Sequence, residues 1–304
     1  MKIDQSELKI IFGSIIDGFS FVSSSNFGQF YIKHLNTIDT CKIDQKYKEY
    51  YNEAVSKKLT TEKEQLSYLY KEKLWTKEED IEIKDHRQFF DGLKLTKTKL
   101  FLKNDIDEIE KQIKDTENKL FNLISKKNEL MGLTAETFTD KKLSEFYIFT
   151  SLYKDISENK KLFEWDTFDE LDYEELTYLT QTYNKEILKF GEKNIKRIAL
   201  CPFFLNIFFL SDNDPYKFYG LPILKLTNYQ LELFSQGAHY KNVLAEHKNI
   251  EVNEYLEDPD KLDEYVNRAK AVSETLQKTS SKKGTKYIAN ATGEDMERLG
   301  LVNE

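Results

Sequence analysis

Four histidines, two cysteines and a few clustered aspartates are the side chains of this chain whose types could do chemistry, and their spacing gives that chemistry little to work with. His34, His86, His239 and His247 are the only imidazoles. His239 and His247 suit one face of a helix, but no third ligand stands at metal-site spacing from them. Cys41 and Cys201 form no CxxC pair, so no zinc knuckle or disulfide framework is indicated and a reducing compartment is expected. Asp166, Asp169, Asp212 and Asp214 could offer hard oxygens to a divalent cation. Their runs lack the further oxygens and fixed glycine of a calcium loop, and a solvated helix start and a turn account for them. Neither G-x-S-x-G nor G-x-G-x-x-G occurs, and Lys283-Gly284-Thr285 has no upstream glycine or strand to make a phosphate loop. No catalytic residue, cofactor site or metal ligand is assigned, and the chain reads as non-enzymatic.

The balance of charge narrows the partners. With 53 acidic and 45 basic residues, a net charge of -8 excludes the basic footprint of a nucleic-acid binder. Arginine occurs only at Arg87, Arg197, Arg268 and Arg298, so the bidentate forks that grip phosphate or guanine are scarce. The charged fraction of 32% is high for a globular chain, while 21 Phe and 18 Tyr supply enough apolar area for real cores. The longest apolar run, Ile198 to Leu210, holds Pro202 and Asn206 and is too short to span a bilayer. No signal peptide is read at the start, so a non-membrane protein is expected.

Helices dominate the elements. The sharpest pattern is a heptad seam of Leu95, Lys99, Leu102, Ile106, Ile109, Ile113, Thr116, Leu120, Leu123, Lys127 and Leu130, flanked by charge. Capping boxes at Thr61 with Glu64 and Thr76 with Glu79 start two helices, the second running from Lys77 to Met131 with only Gly92 as an interruption. Gly132 stops it. Fully helical, that rod would extend roughly 80 Å, and a return helix of about Ala135 to Lys154 only about 30 Å. An antiparallel hairpin with unequal arms leaves much of the seam uncovered, so the seam has two readings, an internal contact or one with another chain.

The remaining segments are read more coarsely. Residues 1–60 form a small mixed cap, with β-prone runs at Ile10 to Ile16, Phe19 to Val22 and Phe30 to Ile32, and a helix of about Asp44 to Lys58. Residues 61–155 hold the helical hairpin and 156–250 a helical C-terminal domain. Within it, Asp172 caps a helix of about Tyr173 to Phe190, Pro202 opens a short apolar helix, and Thr227 with Gln230 starts another to Leu244. The apolar helix reads as core or as a groove for a client segment, and Tyr216, Phe218 and Tyr219 as an aromatic contact loop or as a lock onto that core. Residues 251–304 give an exposed helix of Pro259 to Gln277, a linker of Thr279 to Lys286 and a short helix of Glu294 to Leu299 closed by Gly300. The fold class is mainly α, a long coiled-coil hairpin with a helical C-terminal domain.

Three segments, Asn194 to Asn206 (NIKRIALCPFFLN), Asp212 to Gly220 (DNDPYKFYG) and Leu226 to Gly237 (LTNYQLELFSQG), resemble proteins of large tailed bacteriophages, most of all tail and baseplate assembly proteins, tail assembly chaperones included. The resemblance implies a non-enzymatic structural or assembly role beside other tail or baseplate proteins, in the host cytoplasm or the virion. The expected protein-interaction residues are Leu102, Ile106, Ile109, Ile113, Leu120, Leu123, Tyr216, Phe218 and Tyr219, serving self-association or a protein partner. The alternatives are an enzyme with an acidic metal site at Asp166, Asp169, Asp212 and Asp214, and a nucleic-acid binder.

Overall fold

A computed structural model describes residues 5–98, 100, 103–158, 160–247 and 250–281, the side chains at 103 and 271–281 excepted. The chain is mainly helical with one small antiparallel sheet. Two compact units emerge, one of residues 1–87 and 118–259, the other of 88–117 and 260–304.

The first unit opens with α1 (Gln5–Asp17), whose Leu8, Ile11 and Ile15 recur at helical spacing and are buried. The β-prone residues 10–16 are therefore helical, because their apolar positions repeat on one helix face rather than alternating. Gly18, at φ +73°, turns the chain into β1 (Phe19–Ser24), which pairs with β2 (Gly28–Lys33) from Phe19 opposite Lys33 to Ser24 opposite Gly28. The cap is thus built on a β-hairpin. Asn36 and Asp39 cap each other at the start of α2 (Thr37–Ser56), and the Thr61–Glu64 box starts α3 (Glu62–Lys71) as its spacing predicts. Thr76 and Glu79 likewise exchange hydrogen bonds at the head of α4 (Lys77–Lys97).

The continuous rod is not formed. Gly92 lies within α4, which ends at Lys97, and α5 (Lys103–Met131) is a separate helix. Near the break Thr96 Oγ1 donates to the Gly92 carbonyl at 2.8 Å and Thr98 Oγ1 to the Leu95 carbonyl at 2.8 Å, local bonds that compete with the helical ladder. A single rod would leave its apolar stripe in water, and the contacts that join α4 to α5 are ion pairs within each unit. In the first unit Lys127 Nζ reaches Asp80 at 2.7 Å and Lys126 reaches Glu79 at 2.7 Å. In the second, Lys97 reaches Glu110 at 3.0 Å. In each unit, then, an ion pair joins α4 to α5, whereas the helix after Gly132 packs elsewhere.

Gly132, at φ +64°, ends α5 with its amide on the Asn128 carbonyl. Then α6 (Ala135–Ser151) leaves α5 and packs along α2, fixed by the Ala135 amide on the Thr60 carbonyl at 2.9 Å. It ends earlier than the periodicity predicts, because β3 (Leu152–Tyr153) joins the edge of β2, with Ile32 opposite Leu152. Val22, Phe30, Ile32, Ile148, Leu152 and Leu162 form one core with residues of the next two helices, α7 (Trp165–Asp169) and α8 (Tyr173–Ile187), the second capped by Asp172 and Glu175.

The apolar run 198–210 is two helices, α9 (Glu192–Leu200) and α10 (Pro202–Phe209), because the residue before a proline is driven to extended backbone and Cys201 sits at ψ 140°. The short α11 (Pro215–Tyr219) follows, capped by Asp214, and then α12 (Asn228–Glu246), whose Thr227–Gln230 box is complete. The one-turn α13 (Val252–Tyr255) closes this unit. In the second unit α14 (Asp260–Ser281) runs helical past Gln277 through the first residues of the expected linker, and its Glu264 lies 3.6 Å from Lys97. The rest of that linker, with Lys283-Gly284-Thr285, and the Glu294 to Leu299 helix fall outside the described residues.

Gly237 lets α12 approach α10. A Cβ there would stand 2.8 Å from two ring atoms of Phe204 and 2.9 Å from Phe208, both rings fully buried. Alanine is the better helix former by about 1 kcal/mol, and overpacking a tight core costs about 1–3 kcal/mol. Because neither ring has room to withdraw, the cost of overpacking exceeds the gain in helix propensity. Gly237→Ala is therefore expected to lower the urea midpoint with an unchanged slope, corresponding to a net loss of up to about 2 kcal/mol.

Candidate functional site

The heptad seam is the covered side of α5. Ile106, Ile109, Ile113 and Leu123 are half-buried, Leu120 and Thr116 are buried, and the flanking Glu108, Lys111, Lys114 and Glu117 are exposed. Thr116 spends its hydroxyl on the Gln112 carbonyl of its own helix at 2.7 Å. Leu102 and Lys99 lie outside the described residues, and Leu95 is exposed. Lys127 sets register through Asp80. That carboxylate also accepts from the Trp75 indole at 3.1 Å and from the Tyr70 hydroxyl. Burial works against its ionisation, and the bonds from Lys127, Tyr70 and Trp75 outweigh it, holding Asp80 below the usual carboxylate range.

Where α3, α4, α5 and α6 meet in the first unit, a cleft of about 860 Å³ opens. Leu66, Ile83, Ile124 and Met131 give it an apolar lining, and Lys63, Arg87, Glu62 and Glu136 surround them. Glu136 is engaged, its carboxylate accepting the Glu62 amide at 2.8 Å. Lys63 and Arg87 are exposed, and among the described residues neither has an acidic partner. Sequence patterns missed this cleft because four elements supply its walls, and only Lys127 among its lining residues belongs to the seam.

The aromatic segment divides. Phe218 packs edge-on against Phe204, Phe208, Phe234 and Tyr219 at 4.7–6.1 Å between ring centres. Tyr219 donates to the Gln230 carbonyl at 2.8 Å, and burial raises its hydroxyl pKa. Both lock α11 to the core. Tyr216 is 61% exposed. Close to it in sequence, Ile207, Phe209, Leu210, Leu221, Ile223 and Leu224 also face water, with Leu210 81% and Leu224 67% exposed. Thus α10 is neither all core nor all groove: Phe204, Leu205 and Phe208 are buried on one side, and its other side is open.

Three of the four candidate aspartates are committed to structure. Asp169 pairs with Lys142 at 2.7 Å, Asp212 with Lys217 at 2.7 Å, and Asp214 caps α11. Among the described residues no three His, Cys, Asp or Glu side chains are placed to hold a metal ion. Cys201 is buried, and that burial pushes its thiol up to about 11. Lys161, which no motif marks, has its ammonium 3.9 Å from the centre of the Tyr153 ring, and burial, reinforced by nearby Lys33, brings it down to about 8. His34 shares a 2.9 Å hydrogen bond between Nε2 and Ser20 Oγ, and its ring lies edge-on to Phe190 and Tyr229. This Ser–His pair is sealed, with His34 1% and Ser20 2% exposed, and Nδ1 has no partner to orient the ring for proton transfer.

No family model, curated protein or solved structure matches this chain. No helix among the described residues is long and apolar enough to cross a membrane.

Burial lowers the His34 pKa to about 4 from 6.5, since nothing nearby repays the desolvated imidazolium. Between those values the unfolded chain takes up a proton that the folded chain refuses. The contribution is complete above pH 6.5 and is lost as pH falls toward 4, on the order of 3 kcal/mol in all. Urea unfolding of His34→Gln beside the natural protein should show a shallower loss of stability across that window. Parallel curves would mean that His34 titrates normally.

Proposed function

We propose that this protein is a non-enzymatic structural or assembly component of a multi-protein complex, acting through surfaces that bind other proteins. The observation that carries this reading is the group of apolar side chains left in water between Ile207 and Leu224, displayed beside a locked aromatic core. Each large side chain taken out of water contributes roughly 1.5–3 kcal/mol, so covering several is worth far more than the isolated exposed leucines that every surface carries. Concentrations of this kind mark surfaces that meet another molecule. The resemblance of residues 194–237 to tail and baseplate assembly proteins supports placing the complex in a tailed-phage tail or baseplate, in host cytoplasm or virion.

Leu210→Asp combined with Leu224→Asp tests it, because both side chains are exposed and their replacement leaves the core intact. Purified with the other proteins of its native source, the natural chain should co-sediment in a defined complex. The double variant should keep its circular dichroism and lose that complex. A variant that assembles fully would refute the surface, and a divalent-ion-dependent activity lost in folded Asp212→Asn, Asp214→Asn protein would replace the reading with an enzymatic one.

A further inference from the structure

The small sheet has an open edge. Its strand order is β1-β2-β3, so β1 (Phe19–Ser24) is paired on one side only. The His34 amide donates to the Gly18 carbonyl at 2.8 Å, and these two residues lie directly opposite each other in the register of β1 with β2. Bonded and non-bonded pairs alternate along an antiparallel ladder. The bonded pairs are therefore Ser20 with Ile32, Val22 with Phe30 and Ser24 with Gly28, and the amides and carbonyls of Phe19, Phe21 and Ser23 point away from β2. Among the described residues none of these outward groups has a hydrogen-bond partner.

An edge of this kind is a template for another strand, and folded proteins ordinarily blunt it with a charge, a proline or a bulge. β1 has none of these. Its sequence, FSFVSS, carries no charge and no proline, and its register with β2 runs unbroken. Ser20, Val22 and Ser24 are buried on the core face, whereas on the opposite face Phe21 is 53% exposed, leaning on Tyr31 at 5.5 Å between ring centres, and Ser23 is exposed.

A strand without charge has little with which to select a foreign segment, but it complements itself. About a two-fold axis at Phe21, each Phe21 faces its own counterpart, and Phe19 of either copy faces Ser23 of the other. Every residue in those pairs has its amide and carbonyl free, and no like charges meet along the strand even though each chain carries a net charge of -8.

We propose that β1 pairs with β1 of a second copy of this chain, antiparallel and centred on Phe21, which joins the two small sheets into one. The surface and its occupant differ from those proposed for residues 207–224, so the two readings stand or fall separately.

Sedimentation velocity over a concentration series should show the natural chain passing from monomer to dimer. Phe21→Lys and Phe21→Glu each set two like charges face to face at the axis, and each should weaken the dimer by at least about tenfold. Because Phe21 is exposed, both variants should keep the natural circular dichroism. Mixed in equal amounts they should regain a heterodimer, since a two-fold contact at Phe21 sets residue 21 against residue 21. Amide exchange at Phe19, Phe21 and Ser23 should slow as the concentration of the natural chain rises, and this measurement decides if either variant unfolds. A natural chain that stays monomeric, a dimer that both variants keep, or a mixture of the variants that stays monomeric would overturn the proposal. So would a dimer lost in the Leu210→Asp, Leu224→Asp protein and kept in Phe21→Lys, since residues 207–224 would then be the contact.

Discussion

The carboxylate of Asp80 holds the helical part of the first unit together. One side chain accepts from Tyr70 on α3, from Trp75 in the turn between helices and from Lys127 on α5, while itself standing in the first turn of α4. A partly buried carboxylate is tolerable only with its lone pairs satisfied, and three donors from three places satisfy them in one arrangement. Trp75, fully buried beneath, gives that arrangement its apolar weight. The cleft opens among these same helices, with Lys127, which pairs with Asp80, in its lining.

Elsewhere the aromatic residues do what the scarce small residues cannot. Phe204, Phe208, Phe218 and Phe234 interlock in edge and stacked contacts around α10, and Gly237 is the gap that admits them to α12. A core filled by rings is rigid and intolerant of added volume. That rigidity presents the apolar residues of α10 and the following loop to solvent without allowing them to fold inward. Exposure there is imposed by what is already packed beneath.

Two groups with chemical potential, His34 and Cys201, have been absorbed into this architecture. His34 is neutral and enclosed by Phe190 and Tyr229, close to where Gln230 of α12 donates to the Ile15 and Ile16 carbonyls and the Asn228 amide meets the Leu35 carbonyl. Cys201 is the extended residue between α9 and α10. Burial raises the thiol and lowers the imidazole for the same reason, since each neutral form is the one that survives without water.

The local sequence determined where several helices begin and end. The boxes at Thr61, Thr76, Asp172 and Thr227 and the stops at Gly132 and Pro202 are short-range hydrogen-bonding and steric rules that need no distant partner. It also determined the covered face of α5, because a heptad pattern states which side is apolar. What covers that face was left to tertiary structure. A stripe is satisfied equally by any complementary stripe, and within the chain the Asp80 and Lys97 pairings choose α4 in place of α6. The β-hairpin was likewise undecided locally, because strands become stable by pairing and by burial against Ile148, Leu152 and Phe168, far away in sequence. The cleft was legible nowhere along the chain, since its four walls become neighbours only after the helices have turned back on one another.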